Sequence, residues 1–241
     1  MKERGILFTP ANAQKSRDGL KWQTRRVLTP QPRSCRTISP AQSFTKIEIG
    51  DLFICPDMFP TELPPGPLKH VITECESVGT YHSMGVQQFI EKHGPKAHGI
   101  VGDRFWVREA WRTWEDPKTG IDGVRYKADN SFRPIEPTRE AADKWIVAHD
   151  NGRHGDKWRH ARFMFRWCSR TLLEITDVRV ERLQDISEED ALAEGIDDAY
   201  LVKNHLAPPR RQAYFYLWDD INGVHAHKEN PWVWALTFKK I

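Results

Sequence analysis

A change of hydrophobic phase inside one long β-rich segment constrains the fold more than any other feature of this sequence. Within residues 159–181, Leu173 and Ile175 alternate in one phase, whereas Val178 and Val180 alternate in the other. Side chains of a strand point alternately to the two faces of a sheet, so a phase switch marks a bulge or a sharp bend. Such bends occur at the corners of small β-barrels. The sequence therefore predicts an α+β fold that is mainly β and has at least one bent strand.

The segment Val101–Trp111 contains the clearest single strand. A Gly-Asp turn starts it, and strict alternation then puts Phe105, Val107 and Glu109 on one face. Glu109 thus shares a face with two apolar side chains, although charged side chains are almost never buried without a partner. Two interpretations stay open, namely a carboxylate that enters a pocket or the end of the alternation at a barrel rim.

Capping signals predict helices between the strands. Thr9 followed by Pro10 is typical of a helix start, and glycine is typical of a helix stop. The predicted helices cover residues 11–18, 139–149, 183–195 and 210–221. The second of these is predicted from apolar spacing and the others from caps or breakers. A closing strand with one apolar face is predicted from Trp232, Trp234, Leu236 and Phe238.

Length and composition indicate one large globular domain over residues 1–241, with insertions at 56–96 and 113–160. Hydrophobic residues make up 39% and charged residues 29% of the chain, which is ordinary for a soluble protein. No apolar run approaches the ~20 residues that cross a bilayer, and no signal peptide is evident. The cysteines are scattered without a C-x-x-C pair, which is typical of reduced thiols in a cytoplasmic protein. We therefore expect a cytoplasmic protein without a membrane partner.

The distribution of charge is more informative than the net charge of +3. Basic residues dominate Lys15–Arg36 and Arg153–Arg170, whereas acidic residues dominate Glu181–Asp198. The two basic segments also contain tryptophans, and a basic surface with aromatic side chains fits nucleic acid. Tryptophans more often belong to a hydrophobic core, so that alternative stays open.

The octet Gly19–Arg26 carries the strongest chemical signal. Lys21 and Thr24 are three residues apart, so that an amine and a hydroxyl can meet as a base and its nucleophile. Arg25 and Arg26 add guanidiniums that suit phosphate or carboxylate, and Trp22 adds a stacking surface. The competing interpretation is a basic loop that lies in water, because charged runs are usually solvated.

Glu194 is a second candidate, because it lies in the last turn of a predicted helix. A negative charge there opposes the helix dipole, which suggests a role other than helix stability, although an exposed glutamate at a frayed end explains it equally well. His225 and His227 are metal ligands by residue type, but no carboxylate or cysteine spacing supports them, so we expect no metal and no cofactor. Phosphate-binding and nucleophile-elbow motifs are missing from the sequence.

Taken together, these segments resemble the ASCH family, and most closely the larger ASCH-type proteins of phages and prophages. The resemblance rests on the octet, on the strand 102–109, on the long strand that leads into 183–187, and on the closing strand 230–234. It implies a PUA-like fold, which is a small β-barrel with peripheral helices and a cleft suited to RNA or modified nucleosides. The two predicted insertions have no counterpart in it.

The resemblance also implies an activity, because one small bacterial ASCH enzyme hydrolyses N4-acetylcytidine. Its lysine, threonine and glutamate correspond by motif to Lys21, Thr24 and Glu194. In that mechanism the lysine deprotonates the threonine, the threonine attacks the acyl carbon, and the glutamate protonates the leaving amine. Neighbouring guanidiniums would favour a neutral lysine.

Substrate-binding residues are expected around this trio, namely Trp22, Arg25, Arg26, Arg108 and Glu109. The tryptophan stands where typical members have threonine, which leaves the shape of the pocket and the substrate open. Other ASCH proteins are nucleases or non-catalytic binding modules, so a ribonuclease and a nucleic-acid-binding module remain alternatives to the amidohydrolase.

Overall fold

Short strands and capped helices account for most of the chain that the structure describes. The computed structural model describes residues 1–29, 31, 33–34, 53–54, 70–76, 80–85, 90–94, 98–151, 157–207 and 209–241. A hairpin predicted over 46–55 lies outside these residues except for Phe53 and Ile54, and so does much of the predicted insertion at 56–96.

The strands and helices alternate irregularly along the sequence. The strands are β1 (Glu3–Leu7), β2 (Gln23–Val27), β3 (Arg33–Ser34), β4 (Phe53–Ile54), β5 (His70–Glu76), β6 (Thr80–Gly85), β7 (Arg104–Arg108), β8 (Trp111–Glu115), β9 (Asp122–Tyr126), β10 (Phe132–Pro134), β11 (Leu172–Arg182) and β12 (Trp232–Lys240). The helices are α1 (Pro10–Arg17), α2 (Arg139–Asn151), α3 (Glu188–Ala193), α4 (Asp198–Lys203) and α5 (Arg210–Asn222). Residues 90–94 are also helical.

Three sheets form among the described strands. Their strand orders are β1-β7-β11-β12-β2, β10-β9-β8 and β3-β4-β5-β6. The pairing of β1 with β7 is parallel, whereas β7 with β11 and β2 with β12 are antiparallel. Strands and helices are therefore mixed as the α+β class predicts, and the described strands do not close into a barrel.

The chain divides into two compact units. The first comprises residues 1–22, 102–175 and 238–241, and the second comprises residues 23–101 and 176–237. The prediction of a single domain over residues 1–241 with insertions stays a prediction. The octet Gly19–Arg26 is divided between the units, with Lys21 and Trp22 in the first and the residues from Gln23 onward in the second.

The first unit has a core between the sheet β10-β9-β8 and helix α2. The indole N–H of Trp145 in α2 donates to the carbonyl of Gly123 in β9 at 2.6 Å, which fixes the helix across the sheet. The buried side chains of this core are Trp111, Val124, Tyr126, Ala141, Trp145, Ala148, Met164, Trp167 and Cys168. The segment 113–160, predicted as an insertion, thus shares this core with Trp111 and with residues 164–168.

The second unit has a core formed by its helices around β12. Its buried side chains are Leu183, Ile186, Ala191, Ile196, Leu201, Ala213, Tyr214, Trp218 and Val233. Helix α3 begins at Ser187, whose hydroxyl accepts the N–H of Asp190 at 3.0 Å, and it ends before Gly195, whose φ is +93°. These caps satisfy backbone groups that a helix leaves unpaired at its ends.

Several predicted elements are confirmed with small shifts of their bounds. Thr9 caps α1, and Ser187 and Gly195 bound α3, although residues 183–185 form a separate 3₁₀ turn because the cap at Ser187 starts the α-helix later. The phase switch in β11 is also confirmed, since Thr176 and Asp177 are both exposed between buried stretches. Strand β12 is buried on both faces rather than on one. No helix in the described ranges is long and apolar enough to span a membrane.

Candidate functional site

Strand β2 carries polar side chains into the interior of the second unit. Gln23, Thr24 and Arg25 are all buried. Pairing with β12 sets Gln23 opposite Thr237 and Arg25 opposite Ala235, so these side chains share one face of the sheet. Thr24 belongs to the other face. Three consecutive buried polar residues on a strand require hydrogen-bond partners on both faces.

The Arg25 guanidinium is fully buried and uses each of its five N–H donors. Nε and Nη2 both donate to Oε1 of Glu181, at 2.9 and 2.5 Å, and Nη2 also donates to Oδ2 of Asp190 at 2.8 Å. Nη1 donates to Oε1 of Gln23 at 2.7 Å and to Oε1 of Glu194 at 3.2 Å. An arginine with five donors satisfied in fixed geometry is held rigidly.

Three carboxylates therefore surround one buried cation, and a second cation balances them from the rim. Nη2 of Arg179 donates to both oxygens of Asp190, at 3.1 and 2.9 Å, and its Nη1 lies 3.6 Å from Oε2 of Glu181. Burial would lower the pKa of Arg25, but the acidic neighbours, with Glu194 the largest, outweigh it and raise that pKa. Burial would raise the pKa of Asp190, but the two arginines outweigh it and lower that pKa. We call Gln23, Arg25, Glu181, Asp190 and Glu194 the Arg25 cluster.

Glu194 lies at the C-terminal cap of α3 and is only 3% exposed. Its carboxylate thus faces the negative end of a helix in a buried place, which is costly unless positive charge is near. Arg25 supplies that charge, and the hydroxyl of Tyr214 lies 3.5 Å from the same Oε1, as a long and weak hydrogen bond. Burial, and then the charge of Glu194, raises the pKa of Tyr214 well above its usual value, so that the phenol stays neutral.

Thr24 and Arg26 form a second pair on the opposite face of β2. Nη1 of Arg26 donates to the Thr24 hydroxyl at 3.1 Å and to the carbonyl of Arg25 at 3.1 Å. The Thr24 side chain is buried, whereas that of Arg26 is partly buried. Burial lowers the pKa of Arg26 more than Glu194 and Tyr214 raise it. The structure thus brings Thr24 together with Arg26, and Arg25 together with Glu194.

Lys21 and Trp22 lie in the first unit. The Lys21 side chain is buried, with Nζ 6.0 Å from the ring centroid of Phe8, and its backbone N–H donates to the carbonyl of Lys15 at 3.2 Å. Trp22 is 40% exposed, and its carbonyl accepts the N–H of Phe238 at 2.9 Å. The octet is therefore not a loop in water. The joint action of Lys21 with Thr24 and Glu194 stays a prediction.

Glu109 and Arg108 also belong to the first unit, where the carbonyl of Arg108 accepts the N–H of Phe8 at 3.0 Å. The Glu109 carboxylate is 2% exposed and is bound by Arg170. The carboxylate is therefore buried with a guanidinium as its partner, and its entry into a pocket stays a prediction. Arg108 stacks on Trp106, with Cζ 5.0 Å from the ring centroid, and its Nη2 donates to the carbonyl of Arg162.

Sequence reasoning missed most members of the Arg25 cluster and its rim. The missed residues are Gln23, Arg179, Glu181, Asp190 and Tyr214. A usable signal was present in the alternation of Gln23 with Arg25 on a short strand and in the acidic segment Glu181–Asp198. In the described ranges, no group of three or more His, Cys, Asp or Glu residues could hold a metal ion. His227 instead has Nδ1 at 2.7 Å from Oδ2 of Asp219.

Comparison with known proteins adds no relative to this geometry. No family model, no curated protein and no solved structure matches the chain.

Proposed function

We propose that this protein is an ASCH-type protein with a PUA-like core that binds a modified nucleoside and hydrolyses its acyl amide. The observation that carries the proposal is the burial of the Glu194 carboxylate at a helix C-terminus, held by the buried guanidinium of Arg25. Burying a carboxylate at a helix C-terminus lowers the stability of the protein. Side chains in such unfavourable positions are typical of functional sites. The resemblance assigns a catalytic glutamate to this residue.

The proposed reaction balances as amide hydrolysis. Lys21 takes the proton of the Thr24 hydroxyl, and Oγ1 forms an ester with the acyl carbon. The C–N bond then breaks, and the leaving amine of cytidine takes a proton from the carboxyl of Glu194. Water then attacks the ester and gives one proton to Glu194, and the Thr24 oxygen leaves with the proton that Lys21 holds. The products are cytidine and a carboxylic acid, and the three side chains regain their starting protonation. This scheme requires the three side chains to meet in one cleft, and that requirement rests on the resemblance.

Arg25 acts in this proposal as a positioning residue. All five of its donors are already engaged within the protein, so its guanidinium has none left for a substrate. This changes the role that the sequence predicted for it, from substrate binding to holding Glu194. Substrate binding by Arg26 remains part of the proposal, and its guanidinium in addition holds the hydroxyl of Thr24 in place.

The test is release of cytidine from N4-acetylcytidine by the purified chain. We expect release by the native protein and at least a hundredfold loss in Lys21→Ala, Thr24→Val and Glu194→Gln, since each removes one chemical step. Arg139→Gln is the control, because that side chain is 96% exposed on α2 and should leave the rate unchanged. Circular dichroism would show that each variant is folded.

Two outcomes would reject the hydrolase. One is no release by the native protein, and the other is equal release by Lys21→Ala. Binding of RNA without any turnover would point instead to the non-catalytic module, and cleavage of a labelled RNA would point to the ribonuclease.

A further inference from the structure

Tryptophan and arginine side chains alternate across one face of the sheet β10-β9-β8 in the first unit. Cζ of Arg112 lies 4.7 Å from the ring centroid of Trp158 and 4.8 Å from that of Trp114. Cζ of Arg125 lies 4.3 Å from the same Trp114 ring. The order of the stack is therefore Trp158, Arg112, Trp114 and Arg125, which we call the Trp–Arg row.

The strand pattern explains why these side chains collect on the face away from α2. Trp111 and Thr113 of β8 point into the core and are buried, so Arg112 and Trp114 point the other way. Register pairs Arg112 with Arg125 across β8 and β9. Trp158 joins them because the next residue forms a bridge to β8, with its N–H donating to the Trp111 carbonyl at 2.7 Å.

The cations of the row have no acidic partner among the described residues. The ion pairs within 4.0 Å in those ranges include neither Arg112 nor Arg125, and the buried Nε of each, like the indole N–H of Trp114, has no hydrogen-bond acceptor there. Glu115 and Asp122 pair across the strands but belong to the opposite face. Asp116 in the following turn is near enough to interact weakly with Arg125, and its main contact is a hydrogen bond from Thr119.

The absence of a side chain at Gly123 leaves room for a further aromatic ring on this face. Phe132 of β10 lies opposite Arg125 and hence on the same side of the sheet. Its ring covers Gly123, where an added Cβ would lie 2.4 Å from Cε2 of Phe132. The face thus offers three aromatic rings and two guanidiniums, and Trp158 is 38% exposed at its end.

We propose that the Trp–Arg row is a binding site for single-stranded nucleic acid, with bases stacking on Trp158 and Phe132 and phosphates binding Arg112 and Arg125. Aromatic rings beside a basic row are what such strands require, because every base has a stacking face and every linkage carries a negative charge. Stacking on tryptophan uses the flat faces of the guanidiniums and leaves their in-plane N–H groups for phosphate.

Charge and shape favour this occupant over an acidic peptide. Two cations without acidic partners match a row of phosphates, and a nucleic acid carries an aromatic base for each phosphate, which an acidic peptide does not. The inference does not rest on the proposed hydrolysis, because none of these residues takes part in that reaction.

The test measures binding of a fluorescein-labelled oligouridine of about twelve nucleotides by anisotropy, a length within the usual site sizes of single-strand binders. We expect Arg112→Gln/Arg125→Gln to raise Kd about tenfold or more and to reduce the slope of log K against log salt by about 1.4, for two lost phosphate contacts. Trp158→Ala lies outside the strands and should raise Kd about fivefold or more without changing that slope.

The matched control is Arg139→Gln/Lys144→Gln, which removes the same charge from α2 on the other side of the sheet. Kd should change less than twofold in this control. The proposal is overturned if the native protein does not bind the oligonucleotide, if the control weakens binding as much as the row variant, or if duplex RNA or polyglutamate binds as tightly. Hydrolysis of free N4-acetylcytidine by the row variant separates a failure of this site from a failure of the proposed catalysis.

Discussion

Arg170 and Glu109 face each other fork to fork in the first unit, with Nε to Oε1 and Nη2 to Oε2 both at 2.8 Å. The remaining Nη1 of Arg170 donates to both oxygens of Asp129, at 3.1 and 2.9 Å. The same guanidinium lies over the ring of Tyr126, with Cζ 3.8 Å from the centroid. Arg170 therefore joins a carboxylate that directly follows β7 to a carboxylate in the turn after β9, and it also contacts the ring of a buried core tyrosine.

Replacing Arg170 by Gln should destabilise the protein by about 3–5 kcal/mol, because it leaves the Glu109 carboxylate buried without a cation. Urea unfolding monitored by tryptophan fluorescence measures this loss. Arg139→Gln is the matched control, and its highly exposed side chain predicts a change within about 0.5 kcal/mol. A free energy of unfolding for Arg170→Gln equal to that of the control would contradict the prediction.

Acidification should weaken the same network through Asp129. Burial would raise the pKa of Asp129, but hydrogen bonds from Arg170, Ser131 and Arg17 outweigh it and hold that pKa well below its usual value. Because the folded pKa is below the unfolded one, the stabilisation is complete above about pH 4 and is lost as the pH falls towards the folded pKa.

The free energy of unfolding, measured between about pH 5 and pH 2, should therefore fall more steeply in the native protein than in Asp129→Asn. Equal pH slopes in the two proteins would show that Asp129 does not carry the effect. Asp143→Asn on α2 serves as the control, because that carboxylate is largely exposed.

Arg25 and Glu194 should be strongly coupled in a double-mutant cycle. Arg25→Gln alone leaves three carboxylates facing one another and should cost about 3–5 kcal/mol, whereas Glu194→Gln alone should cost less, because an amide oxygen still accepts from Arg25. We expect a coupling free energy of about 1–3 kcal/mol between the two changes. If the stability losses of the two single variants sum to that of the double variant within about 0.5 kcal/mol, direct contact is contradicted.

Gly123 and Gly120 give a paired test of the sheet that carries the Trp–Arg row. A Cβ at Gly123 would lie 2.3 Å from the carbonyl oxygen of Arg133 and would push β10 away, so Gly123→Ala should cost about 3 kcal/mol. Gly120 has φ of +67° and open space around it, so Gly120→Ala should cost only about 1 kcal/mol of left-handed strain. Thermal unfolding of the two variants compares them directly, and equal losses would argue against the close approach of β10.

The local structure was largely predictable because its causes are local. A cap at Thr9, a cap at Ser187 and a stop at Gly195 act within a few residues, and each begins or ends a helix as predicted. The phase switch in β11 likewise depends on neighbouring side chains. The strand β12 was predicted with one buried face, and burial of Val233 and Ala235 on the other face depends on elements distant in sequence.

The candidate site was predictable only in part, because its contacts are long-range. Arg25 reaches Glu181 across 156 positions and Glu194 across 169 positions, and no spacing rule joins residues so far apart. Glu194 could be selected from the sequence because a helix C-terminus favours positive rather than negative charge. Asp190 and Glu181 lie in the acidic segment but could not be distinguished from its other carboxylates, because acidic residues early in a helix or late in a strand follow ordinary preferences.

The pairing of β2 with β12 has a consequence for how the second unit folds. The amide of Gln23 and the hydroxyl of Thr237 are hydrogen-bonded although 214 positions separate them. Closing so long a loop costs chain entropy before any contact repays it, and distant pairings slow folding. We therefore predict that the polar groups of β2 reach their partners late in folding. Substitutions of these polar residues in β2 should raise the unfolding rate and leave the folding rate almost unchanged.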